Sequence, residues 1–162
     1  MTESSPNEHA RYVRDLFSRI AGRYDLMNRL MTAGQDVVWR KEVIRLAGLQ
    51  AGKALLDIGA GTGDLSQEAQ RQQPGAKVFA ADFTLEMMQV GQRRGNVHNW
   101  LAADALKLPF PDGVFEAVVS GFLVRNVASV EGSLAEQFRV LKDGGTSSSW
   151  TPRARSATCF RR

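Results

Sequence analysis

Apolar positions first recur at helical spacing. Over residues 9–20, Tyr12, Val13, Leu16, Phe17 and Ile20 fall three and four apart, the pattern of an amphipathic helix. The segment YDLMNRLMTAG mixes apolar and polar positions and ends at a glycine. A further helix is expected with Asp36 as its cap, Trp39, Val43, Leu46 and Ala47 on one face, and Gly48 as its stop. From Lys53 the rhythm changes. KALLDIG is a short apolar run ending in glycine and predicts a buried strand. DLSQEAQRQQPG predicts a helix stopped by Pro74-Gly75, and KVFAAD predicts a second strand. TLEMMQVGQRRG predicts a helix that Thr84 could cap and Gly95 could end. NWLAAD predicts a third strand, and VFEAVVS a fourth after a turn-rich loop at Pro109 to Gly113. Val130, Leu134, Phe138 and Leu141 mark a last helix face before Asp143-Gly144-Gly145. Helices followed by alternating strands and helices predict an α/β fold with a parallel sheet.

The pattern stops at Gly145. TSSSWTPRARSATCFRR has no apolar face, and serines are poor strand formers. Composition points to the same break. The chain has 162 residues, enough for one domain with a real core, with ordinary hydrophobic (43%) and charged (23%) content. Its net charge of +4 would suggest an acidic partner, but Arg153, Arg155, Arg161 and Arg162 all lie after Gly145. Without that segment basic and acidic residues balance at 17 each, so the charge does not point to nucleic acid. No apolar run approaches the roughly 20 residues of a membrane helix. MTESSPNEHARYVRD lacks a basic-then-apolar signal pattern, so a cytoplasmic location is expected. Cys159 is the only cysteine, and His9 and His98 are read as surface or loop residues, so no metal site is expected.

Candidate chemistry centres on LLDIGAGTGDL, residues 55–65. Gly59, Gly61 and Gly63 sit where the first strand turns into a helix, so the backbone can turn sharply and a ligand can approach. The helix N-terminus there offers N–H groups and positive dipole character. A dinucleotide fingerprint would put Gly or Ala where Asp64 stands. An acid there suits a ligand with an amino or sulfonium charge better than a pyrophosphate, favouring S-adenosylmethionine over NAD. Asp82 ends the second strand, where a carboxylate can accept from both ribose hydroxyls. Asp104 ends the third, placed to accept from an exocyclic amine, with the Ala105 N–H as donor to a ring nitrogen. Asp57, which opens the DIGAGTGD motif, is counted with this cofactor-binding set. The alternatives are a glycine turn without ligand, a helix-capping aspartate at 82 and a solvated loop carboxylate at 104.

DIGAGTGD, AAD, AADALKLPFPDGVFEAVVS and RVLKDGG together resemble a class I S-adenosylmethionine-dependent methyltransferase. YDLMNRLMTAGQDVVWR with LVRNV is similar to the ubiquinone/menaquinone-biosynthesis C-methyltransferase family. Tyr24, Asp25, Met27, Asn28 and Trp39 match its signature, while Thr32 stands for the usual Ser and Asp36 for the usual His. The resemblance implies a Rossmann-like methyltransferase sheet with helices on both faces and the C-terminal strands missing. It implies a helical lid at 1–52, an incomplete S-adenosylmethionine-binding α/β domain at 53–145, and a tail at 146–162. It adds Thr62 and Ser120 to the cofactor site. The implied reaction is methyl transfer to a ring carbon of a demethylated prenylated hydroquinone, with transient membrane-surface contact and no nucleic acid or metal. Arg125, Asn126, Tyr24, Asp25 and Asn28 are candidate catalytic residues, Asp25 as general base, against structural roles as loop or lid residues. Leu26, Met27, Leu30 and Met31 could hold the prenyl tail or pack onto the sheet. Other small-molecule methyltransferases, or a non-catalytic fragment, are the alternatives.

The family signature continues past Gly-Gly with an apolar strand ending in an acid. TCN serine codons read one base earlier become NTC, which is always apolar, and TSSSWT can conceal Leu-Val-Val-Leu-Asp-Thr. Residues 146–162 are therefore expected to be out of frame and disordered.

Overall fold

The computed structural model describes residues 6–95, 97–124, 126–150 and 157–162, with side chains from residue 11 onward. Helix α1 (Pro6–Ile20), a 3-10 turn, α2 (Tyr24–Met31) and α3 (Gln35–Ala47) precede the first strand. Then come β1 (Ala54–Ile58), α4 (Asp64–Gln72), β2 (Lys77–Asp82), α5 (Leu85–Gln92), β3 (Asn99–Ala102), β4 (Phe115–Gly121), α6 (Val130–Val140), β5 (Leu141–Trp150) and β6 (Ala157–Arg161). The sheet runs β3-β2-β1-β4-β5-β6, parallel throughout except for β6. Strand order reverses between β1 and β4, and in open α/β sheets ligands bind beyond the carboxyl ends of strands at such a point.

The apolar strands are covered on both faces, as parallel strands require. Leu55, Val78 and Val119 pack with Val43, Ile44 and Leu65 from α3 and α4. Leu56, Ile58 and Val118 pack on the other side with Phe115, Val140 and Leu141. Phe79, Phe110 and Phe115 meet edge to face there, with centroids 4.8–6.2 Å apart.

Local signals misplace two helix details. Asp36 is not the cap of α3. Gly34 takes the cap position at φ 77°, and Asp36 lies buried in the first turn, accepting from Thr32 Oγ1 at 3.0 Å. The buried face of α6 is Ser133, Gln137 and Val140, whereas Val130 is exposed and Leu141 already belongs to β5. A polar helix face is buried because a polar strand faces it. Ser147 Oγ donates to Gln137 Oε1 at 3.2 Å, and Gln137 Nε2 donates to Ser133 Oγ at 3.4 Å.

The expectation of a disordered tail from residue 146 is corrected by that same strand. Thr146 to Trp150 pair in parallel with Ala117 to Gly121, and Ala157 to Arg161 pair antiparallel with Trp150 to Thr146. β4 is thus an inner strand, not an edge. Serine has low strand propensity, but a ladder on both sides satisfies its backbone, and its hydroxyls find acceptors: Ser148 Oγ donates to Val43 O at 2.7 Å. Trp150 supplies apolar anchorage by stacking on Trp39, 3.9 Å between centroids at 14°. Residues 151–156 of the expected tail lie outside the described residues.

Candidate functional site

The turn after β1 is held to β2 by its own backbone. Gly59 and Ala60 N–H donate to Ala81 O at 2.9 and 3.0 Å, and Gly61 N–H donates to Asp82 Oδ2 at 2.7 Å. Gly59, Gly61 and Gly63 have φ of 67°, 59° and 81°, the left-handed region where glycine is unstrained. Gly63 also needs its missing Cβ for packing, since one would lie 2.6 Å from Trp100 Cη2. Helix α4 is capped from β1. Asp57 Oδ2 accepts from Ser66 N–H at 3.0 Å and from Ser66 Oγ at 2.7 Å, so part of the expected free N–H set is already used.

Two clefts meet at this turn. The outer one, about 200 Å³, lies beyond the ends of β2 and β3, where Asp82, Ala103, Asp104 and Ala105 line it. Phe17 of α1 and Met87 of α5 add apolar wall, and Asn126 lies on the β4 side. Asp82 is buried and binds Gly61 N–H and, at 2.7 Å, Thr84 N–H. Burial raises its pKa, opposed by those two hydrogen bonds. Asp104 is exposed and accepts from Leu106 N–H at 2.8 Å, an Asx turn that leaves its other oxygen uncommitted among the described contacts.

The inner cavity, about 50 Å³, lies between the glycine turn and α2–α3, lined by Asn28, Asp57 and Thr62 among others. Tyr24, Gly59, Gly61, Gly121 and Phe122 line both spaces. Phe122 has φ 61°, a strained conformation for a non-glycine residue, at the divide between them. Asp57 is 1% exposed, and burial pushes its carboxyl up to about 7 against the two Ser66 hydrogen bonds.

The N-terminal helices are tied to the turn by charge. Asp25 Oδ1 accepts from Thr62 Oγ1 at 2.6 Å, and Asp25 Oδ2 pairs with Arg94. Arg94 Nη1 reaches Asp64 Oδ1 at 2.7 Å, and Arg40 bridges Asp64 Oδ2 at 2.8 Å and Asp36 Oδ2 at 2.7 Å. Asp64 therefore meets two guanidinium groups, one from α3 and one following α5. Asp25 thus ties α2 to the glycine turn through Thr62 and to α5's C-terminal end through Arg94.

The expected site residues thus separate. Asp82, Asp104, Ala105, Gly59 and Gly61 converge on the outer cleft, and Asp57, Thr62 and Asn28 on the inner cavity. Tyr24 touches both, its ring edge-on to Phe17 at 5.6 Å. Ser120 is buried in β4 between Ile58 and Ser149 and lines neither space. Asn126 Nδ2 donates to Phe122 O at 3.0 Å within its own loop. Arg125 lies outside the described residues. Leu26, Leu30 and Met31 do not pack on the sheet; they are 62%, 73% and 72% exposed. Sequence reasoning missed Trp150, Arg40 and Phe122 as lining residues. Only the family signature around Trp39 hinted that this stretch reaches the site.

The sequence profile described as the ubiE/COQ5 methyltransferase family matches residues 4–150. The chain belongs to that family. The match runs past Gly145 into β5. The ubiquinone/menaquinone biosynthesis C-methyltransferase UbiE of Desulfotalea psychrophila is 46% identical over 135 residues, covering 82% of this chain and 55% of that protein. The demethylmenaquinone methyltransferase of Thermus thermophilus is 47% identical over 134 residues, covering 80% and 61%. The chain thus spans less than two thirds of these relatives. Among solved structures, a SAM dependent methyltransferase from Aquifex aeolicus is similar with TM-score 0.60 and 24% identity, covering 68% of this chain and 62% of that one, a likeness of fold.

Proposed function

We propose that this family member takes part in S-adenosylmethionine-dependent C-methylation of a demethylated prenyl hydroquinone, a demethylmenaquinol or related benzoquinol, in menaquinone or ubiquinone biosynthesis. The observation that carries the reading is the meeting of two unlike spaces at one glycine turn. A longer cleft has carboxylates at two successive strand ends, and a small polar cavity has an unpaired acid oxygen. That is the shape of a nucleoside joined to a short charged arm. A Haemonchus contortus phosphoethanolamine N-methyltransferase 2 solved in complex with S-adenosyl-L-methionine has a similar fold, with TM-score 0.60, 23% identity, and coverage of 67% of this chain and 26% of that one.

S-adenosylmethionine, when bound, supplies an already activated methyl group, so the protein's work is positioning and stabilising charge. Asp82 would hold the ribose hydroxyls, and Asp104 with the Ala105 N–H the base. In this reading residues 1–52 act as a lid and 53–145 as the cofactor-binding part. The ties from Asp25 to Thr62 and Arg94 support this reading, since they would hold such a lid over the turn. Tyr24 and Asn28 face the site from the lid, and Arg125 and Asn126 follow β4. A cation there would stabilise the quinolate oxygen. The exposed Leu26, Leu30 and Met31 offer apolar surface for a prenyl tail at a membrane surface.

The test is methyl transfer from S-adenosylmethionine to a short-chain demethylated quinol, with Arg125→Ala beside the parent. Arg125→Ala should lower the rate far more than the affinity for S-adenosylhomocysteine. Equal effects on both would remove Arg125 from the chemistry. Preference for NAD over S-adenosylmethionine would overturn the cofactor reading.

A further inference from the structure

Of the buried polar atoms around the inner cavity that make no hydrogen bond among the described residues, Asp36 Oδ2 is paired with Arg40, and three have neither bond nor ion pair. They are Asp57 Oδ1, Asn28 Nδ2 and Trp150 Nε1, from β1, α2 and β5. Each such atom ordinarily costs about 1–3 kcal/mol. Nothing in the folding of the sheet requires three of them around one space. The set is mixed, with one carboxylate oxygen and two N–H donors. The guanidinium beside them, Arg40, is already shared between Asp36 and Asp64. A purely anionic group would therefore meet three acids and no free cation among the described residues. A purely cationic group would leave both donors unmet. A group carrying an ammonium beside a carboxylate satisfies all three. The cavity, about 50 Å³, has room for such a head group or for water, but not for a ring system.

The indole of Trp150 is held in place on two sides. It stacks on Trp39, and its ring lies 4.8 Å from Phe122 at 70°. This residue sits in the segment that local pattern would have left without structure. We propose that Asn28 Nδ2 and Trp150 Nε1 are the carboxylate-recognising donors of this site, and that with Asp57 they select ligands carrying an α-amino-acid head group. The inference rests on the functional reading above and adds the two residues that would read the far end of the donor.

S-adenosylhomocysteine carries that head group, and 5′-methylthioadenosine is the same nucleoside without it. Titration calorimetry of the full chain with both compounds separates the possibilities. Trp150→Phe keeps the stacked ring and loses the N–H, and Asn28→Leu keeps the bulk and loses the amide. Each should weaken S-adenosylhomocysteine about tenfold or more and leave 5′-methylthioadenosine unchanged. The methylthioadenosine titration also reports whether each variant has folded. In the parent, the indole N–H resonance of Trp150 should shift with S-adenosylhomocysteine and not with 5′-methylthioadenosine. That of Trp100, which donates to Val97 O at 2.9 Å, should respond equally to both. Equal weakening of both ligands, or an unmoved Trp150 resonance with S-adenosylhomocysteine bound, overturns the inference and leaves the cavity to water. A parent that binds neither compound overturns the functional reading itself.

Discussion

Asp57→Asn should stabilise the protein at alkaline pH and destabilise it in acid. The carboxyl is 1% exposed, and burial carries it from 3.8 to about 7, against two hydrogen bonds from Ser66. A folded value above the unfolded one means that folding takes up a proton between the two. Stability is then greatest below the unfolded value, declines as pH rises toward about 7, and is level beyond it. Roughly three units at 1.36 kcal/mol each set an upper limit of ~4 kcal/mol for the cost of ionising Asp57 in the fold. Asparagine escapes that cost, and its oxygen can accept both Ser66 bonds. Its amide then falls where Oδ1 lacks a partner, at about 1–3 kcal/mol. The net gain is about 1–3 kcal/mol above roughly pH 8 and turns into a loss of about 1–3 kcal/mol near pH 4, where the carboxyl is neutral and only the cost of the amide is left. Urea unfolding of parent and variant from about pH 5 to about pH 9 measures it. The same variant should lose affinity for S-adenosylhomocysteine, so the residue would favour binding at the expense of stability. A stability difference constant across pH, or a variant less stable than the parent at about pH 9, would refute the reasoning.

Asp82→Ala should weaken S-adenosylhomocysteine by about 1–3 kcal/mol in calorimetry, because charge-assisted bonds to ribose are lost along with the acceptor that positions Gly61 and Thr84. An unchanged dissociation constant removes the ribose assignment. Arg94→Ala leaves Asp25 and Asp64 each short of a partner. It should cost about 1–2 kcal/mol, reduced because the three side chains are partly exposed. Amide exchange should then quicken in α2 and not in β1 or β4, and unchanged α2 protection would show that the tie holds nothing. Trp150→Ala opens a cavity against Trp39 and Phe122 and should cost about 3–5 kcal/mol, lowering Tm by on the order of 10 °C. An unmoved Tm would mean that β5 is held by its ladder alone.

Local sequence determined much of this protein. The short apolar runs, each bounded by glycine, proline or aspartate, gave the parallel order from β1 to β4, because burial on both faces demands unbroken apolar strands. Glycines at the β1–α4 junction and aspartates at the ends of β2 and near β3 located the outer cleft, because strand ends are where such a sheet can bind. Only tertiary structure decided which charges are spent. Asp25 and Arg94 are 69 residues apart, and nothing near either one shows that they pair, or that Asp64 meets two arginines. The polar stretch after Gly145 carried no strand signal of its own. Its place came from a backbone ladder with β4 and from hydroxyl partners on α6, just before it, and on α3, 105 residues away in the chain. Propensity reads one residue against its neighbours in sequence. Burial and hydrogen-bond satisfaction depend on neighbours in space, so the unpaired oxygen of Asp57 and the indole of Trp150 became visible only in the folded chain.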